Sequence, residues 1–241
     1  MIHHTELRDL LPGMVPFPTD VFPADQAWLG QHLLPLLKID LGVLRPELAG
    51  QVATMLCPIE PYDGCIGDDT GEHHNEFTGS NWIAFELTAG NEMRFLGNEG
   101  YFQGDEVEGE YASAHIAEMR ESHAKAQAYF QQHGKLASYS RYGDGAPREQ
   151  AWLDTLGGAI SYGNWTETAE IPAAFEITIL PPMHDRDRTA DMEDVTITRD
   201  GNKFFAVAEV AGYNWCATGA DAIVMLYEPV SRTVLFSYDW S

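Results

Sequence analysis

The densest run of groups able to do chemistry is Asp68-Asp69-Thr70-Gly71-Glu72-His73-His74-Asn75-Glu76. Imidazole and carboxylate side chains are ligands for divalent metals. A metal held by His73, His74 and Glu76 would support hydrolysis, with a carboxylate orienting the metal-bound water. Adjacent histidines point in different directions on any regular element, so such a site needs a shaped loop. The chain has no HExxH helix and no EF-hand loop. The competing reading is a solvated acidic loop without a cofactor.

Two other groups invite the same question. His115 and Glu118 stand three residues apart on a predicted helix, a spacing that can share a metal. His123 falls on the apolar stripe of that helix and reads as a half-buried core histidine. The segment His184-Asp185-Arg186-Asp187, with Asp191, Glu193 and Asp194, offers carboxylates. Arg186 and Arg188 would neutralise them, so a solvated turn is expected there. Nucleophile signatures are absent: there is no G-x-S-x-G elbow, and Cys216 has no nearby base in sequence. Neither phosphate-binding glycine motif occurs.

Charge is the stronger signal. The chain carries a formal net charge of −23, and fifteen of its carboxylates against two arginines fall between residues 60 and 121. Trp82, Ile83, Phe85, Leu87, Phe95 and Leu96 sit within this stretch, so it belongs to a folded region. A folded acidic surface repels nucleic acid and anionic membrane and attracts basic partners or cations. The concentration of acids in the middle of the chain favours a local role over a general solvent adaptation. The expected contact face is Asp68, Asp69, Glu72 and Glu76 with Asp105, Glu106, Glu108 and Glu110. Tyr62, Phe77 and Tyr101 are the candidate aromatic anchors.

The elements that would position these groups follow from pattern. A length of 241 residues, 44% of them hydrophobic, supports a sizeable core. A single domain over residues 1–241 is expected, with 140–150 as the best internal boundary. Gln26 to Leu56 reads as helical pieces broken by Pro35 and Pro46, after a short turn of helix at Thr5–Leu11. Residues 57–80 read as a long loop. Asn81 to Leu87 and Met93 to Leu96 make a hairpin. Gly109 to His133 is the clearest helix, stopped by Gly134. The last third is β-rich, with hairpins expected at 195–210 and 223–238. The fold class expected from this is α+β, with helical N-terminal elements packed on a C-terminal antiparallel meander.

Three cysteines, Cys57, Cys65 and Cys216, make no disulfide framework. Together with the lack of a signal-like start or a membrane-length apolar run, this points to reduced thiols and a cytoplasmic protein.

Two stretches carry a family resemblance. Leu156-Gly157-Gly158-Ala-Ile-Ser-Tyr162 follows Trp152. The closing block runs from Phe204 through Gly219-Ala-Asp221-Ala-Ile-Val-Met-Leu-Tyr227 to Phe236-Ser-Tyr-Asp239-Trp240. Together they resemble the YwqG-like family of uncharacterised bacterial proteins over about 90 residues. The glutamine usual after the Gly-Gly turn has no clear counterpart, Asn164 or Glu167 being nearest. The resemblance implies an α+β fold and brings no catalytic residues. It is compatible with an immunity protein that neutralises a toxin. The expectation is therefore a non-enzymatic, acidic cytoplasmic protein that blocks a basic effector. The alternatives are a metal-dependent hydrolase at His73, His74 and Glu76, or a non-catalytic adaptor with several weak partners.

Overall fold

The computed structural model of the chain describes residues 2–59, 66–102, 110–139, 145–167, 171–180 and 193–240. Among the described residues there are sixteen strands, one α-helix and several short 3-10 turns. In chain order the strands are β1 His3–Leu7, β2 Met14–Pro16, β3 Leu33–Asp40, β4 Val52–Pro58, β5 Thr78–Gly79, β6 Trp82–Leu87 and β7 Met93–Phe95. After helix α1 Glu110–His133 come β8 Ala137–Ser138, β9 Arg148–Glu149, β10 Leu153–Gly157, β11 Glu176–Ile179, β12 Val195–Arg199, β13 Asn202–Lys203, β14 Phe205–Val210, β15 Ala222–Glu228 and β16 Thr233–Asp239.

The central sheet runs β1-β10-β14-β15-β16-β6-β5, antiparallel throughout, with β7 also paired to β6. Its inner strands are nearly continuous apolar runs because both faces are covered. Ile83, Phe85, Ile223, Met225, Tyr227, Val234, Phe236 and Tyr238 enter one core. The intervening Trp82, Ala84, Val224, Leu226 and Leu235 enter a second. The first core is closed by α1, through Ile116, Met119 and Ala126, and by the sheet β2-β3-β4. The second is closed by the sheet β11-β12-β13, with Trp165, Phe175 and Phe204. Truncating a fully buried ring such as Phe236 to alanine would cost about 3–5 kcal/mol.

The expected layering of N-terminal helices on a C-terminal meander is overturned: the protein is mostly β, in several antiparallel sheets. Residues 33–40 and 52–58 are strands, and so are residues 3–7. The physical reason lies in Leu33-Leu34-Pro35-Leu36-Leu37. A short apolar run fits a buried strand as well as a buried helix. Pro35 is tolerated in β3 because the β3–β4 register shifts between Pro35 and Leu37. The C-terminal half also departs from a simple meander. β12 turns back onto the two-residue β13, while β14 leaves for the central sheet.

Other elements agree with the sequence pattern. The β6–β7 and β15–β16 hairpins form. Helix α1 ends where Gly134 takes φ +68° and donates its N–H to Phe130 O at 2.7 Å, closing the last turn.

A bulge in β14 is the detail that shapes the site below. Ala206 pairs with Leu226 and Ala208 with Met225, leaving Val207 as the extra residue. Beyond it the faces are exchanged. Glu209, which strict alternation would place with Phe205 and Val207 in the first core, is turned to the opposite face. Val210 takes the buried place instead.

Candidate functional site

The acidic segment is a pinned platform rather than a loose loop. Gly67, at φ +82°, precedes the 3-10 turn Asp68–His73. Thr70 is buried and its Oγ1 donates to Tyr101 O at 2.7 Å. Asn98 Nδ2 donates to His73 O at 2.9 Å, and Asn75 Nδ2 to Leu96 O at 2.9 Å. These side-chain bonds to backbone tie residues 67–76 to residues 96–101. Asn81, at φ +68°, fixes the platform to the sheet. Its N–H donates to Ile66 O at 2.7 Å, its Nδ2 donates to Tyr238 O, and its Oδ1 accepts from Trp240 Nε1.

Asp68, Asp69, Glu72 and Glu76 project from this platform and are exposed, as is Glu99. The two arginines of the acidic segment are engaged elsewhere. Arg94 pairs with Asp25 through both terminal nitrogens at 2.8 and 3.2 Å, and Arg120 donates to Gln31 O at 2.9 Å. Among the described residues no lysine or arginine forms an ion pair with Asp68, Glu72 or Glu76; Glu72 has only His73 at 3.9 Å. Tyr62, Asp105, Glu106 and Glu108 lie outside the described residues, and Glu110 is described only as the first residue of α1.

The aromatic anchors need correction. Tyr101 is fully buried, with its hydroxyl 2.9 Å from Gly79 O, so it builds the platform and cannot reach a partner. Phe77 is half-buried, with its ring 6.3 Å from Phe175 and under the Arg199 guanidinium at 4.9 Å.

The histidines do not converge either. His74 Nε2 donates to Gly67 O at 2.8 Å and its ring lies on Tyr101. His73 rests against Gly100, where a Cβ would fall 2.7 Å from Nδ1. Among the described residues no three His, Cys, Asp or Glu side chains are grouped to hold a metal ion. On α1, His115 is buried with Nε2 3.5 Å from Thr218 Oγ1. His123 is the core histidine that the apolar stripe implies. Its Nε2 is shielded from solvent and has no hydrogen-bond partner among the described residues, and burial lowers its pKa to about 4.

A second feature escapes sequence reasoning. A cleft of about 260 Å³ lies against β10, β14 and β15 on the second-core face, lined among others by Thr155, Ser161, Trp165, Asp194, Glu209 and Val224. Thr155, Glu209 and Val224 are direct neighbours across the three strands, so one row of the sheet forms part of its wall. His3 stands at one end, its ring packed on Gly158 at φ +90°, where a Cβ would lie 2.9 Å from Cδ2. Glu209 is half-buried, and among the described residues its carboxylate has no hydrogen-bond or ion-pair partner. Desolvation, with Asp154 and Asp239 nearby, raises its pKa above the ordinary glutamate value. Asp154 is itself engaged, accepting from Ala211 N at 2.7 Å and Asn214 Nδ2 at 3.2 Å. The signal in the sequence was the conflict itself: Phe205, Val207 and Glu209 share one parity, and a lone carboxylate cannot share an apolar face without a bulge.

Among the described residues no helix is long and apolar enough to cross a membrane. Comparison with known proteins found no family model that matches the chain, and neither a curated protein nor a solved structure that matches it.

Proposed function

We propose that this protein is an acidic binding protein that docks a basic protein surface, in the manner of an immunity or antitoxin-type inhibitor acting in the cytoplasm. One observation carries the reading. Asp68, Glu72 and Glu76 stand exposed on a platform held by side-chain bonds to backbone, the Thr70–Tyr101 bond among them buried, with no lysine or arginine paired to them among the described residues. Carboxylates fixed in this way lose little freedom on binding, and they are left for a partner to neutralise. Their field speeds encounter and rejects acidic partners, whereas a slow release needs an apolar anchor. Phe77, beside Glu76 and half exposed, is the described aromatic placed to contribute one.

The test is capture from the native cell on immobilised full-length protein at low salt. A basic protein should be retained, released by salt, and lost when Asp68, Glu72 and Glu76 are changed to Asn, Gln and Gln. Retention of no basic protein, or equal retention by the variant, would remove the reading. The metal-hydrolase alternative receives no support from the side-chain geometry, because His74 is committed to a backbone carbonyl and faces the Tyr101 ring.

A further inference from the structure

We propose that the cleft over β10, β14 and β15 is a receptor for a small organic cation, an alkylammonium or guanidinium group, with Glu209 as its counter-charge. The inference is independent of the acidic platform.

The bulge at Val207 carries the argument. It breaks the β14 ladder and turns a carboxylate out of the apolar core into a concave site. Bulges recur beside functional sites because they re-aim a side chain in this way. The re-aimed carboxylate then finds no partner among the described residues. A half-buried charge left unpaired is costly, and a ligand that supplies the opposite charge removes that cost. Among the described residues no lysine or arginine lines the cleft, and Asp154 and Asp239 add to the negative field at Glu209. That field favours a cationic ligand over an anionic one.

The rest of the lining narrows the class. Ile160, Ala206, Ala208, Val224 and Leu226 give an apolar surface that suits a hydrocarbon body. Trp165 adds an indole, the aromatic side chain that attracts cations best. The hydroxyls of Thr155 and Ser161 are acceptors for remaining N–H groups. A bare metal ion needs several oxygen ligands, and no such group is assembled among the described residues. The volume, about 260 Å³, is below the usual range for drug-sized ligands and fits one small molecule.

Calorimetric titration of the full chain tests this, with n-butylguanidine as the guanidinium, n-butylamine as the ammonium and n-butanol as the neutral analogue. At about 150 mM salt, exposed charges are screened beyond about 8 Å, which suppresses diffuse binding to the acidic surface. At least one of the two cations should saturate a single site and the alcohol should not. Glu209→Gln should weaken that binding by about tenfold or more. The Asp68→Asn, Glu72→Gln, Glu76→Gln protein should bind the cation as wild type does, which separates this proposal from the platform reading. A further arm uses wild-type protein alone. Glu209 loses its charge on acidification, with Asp154, Asp194, Asp239 and His3 the other titratable groups around it, so the cation should bind more weakly at low pH. Absence of one-to-one binding by both cations, equal binding by the Glu209→Gln protein, or affinity independent of pH would each overturn the proposal.

Discussion

Gly67 lies so close to Tyr101 that a Cβ on the glycine would fall 2.6 Å from the Tyr101 ring. The glycine also holds φ +82°, where a side chain is strained whatever the space. The contact seats the start of the acidic turn on a buried aromatic whose hydroxyl reaches into the β5–β6 region. Gly67→Ala should therefore cost about 2–4 kcal/mol, combining overpacking with backbone strain. Tyr101→Phe, which only removes the buried hydroxyl, should cost about 1–2 kcal/mol. Chemical denaturation of the two variants checks the order; an Ala variant as stable as wild type would mean that Gly67 is free of the ring.

His123 sets an acid limb on the stability curve. Its folded pKa, about 4, lies below the ordinary 6.5 because burial disfavours the imidazolium. Between those values the unfolded chain binds more protons, so stability falls as pH drops from about 6.5 to 4. The loss from this group is at most about 3 kcal/mol. His123→Leu should flatten that limb between the two pH values, as read by urea midpoints across the range; an unchanged slope would show that His123 is solvated.

Glu209 acts with the opposite sign. Its pKa is raised in the folded state, so the charged form is disfavoured at neutral pH and the penalty is relieved as the pH falls below the ordinary glutamate range. Glu209→Gln should stabilise the protein at neutral pH by on the order of 1 kcal/mol, about 2–4 °C in Tm for a chain of this size. Near pH 4 the gain should vanish. A destabilised variant at neutral pH would reveal a protein partner for the carboxylate.

Cys57 and Cys216 are free, buried thiols. A hydrogen bond with Cys57, then burial, holds the Cys216 thiol well above its ordinary pKa, so little thiolate forms near neutral pH. Neither should react with a thiol reagent in the folded protein over minutes at about pH 8, and both should react at once after denaturation. Peptide mapping distinguishes them from Cys65; rapid native labelling at position 57 or 216 would contradict the packing.

Elements with a local cause were legible in the sequence. Helix α1 shows its apolar stripe and glycine stop, and the β6–β7 and β15–β16 hairpins show alternation around short turns. What stayed hidden depends on partners distant in sequence. The leucine run of β3 becomes a strand because β2 and β4 flank it. Phe205–Val210 joins β10 and β15 rather than β12, a choice made by pairing across about 50 residues. The platform acids were found by composition, but Tyr101 was misplaced as an anchor because burial of a tyrosine cannot be read from spacing. The Glu209 cleft was missed because a bulge defeats the two-residue period on which strand faces are assigned.

The central claim is that the platform acids bind a basic partner. Its most direct test compares wild-type protein with the Asp68→Asn, Glu72→Gln, Glu76→Gln variant in low-salt capture from the native cell, after thermal melting has shown that both are folded. The account predicts one basic protein held by the wild type, released as salt rises and absent from the variant. Equal recovery on both proteins, or no basic protein on either, would contradict it.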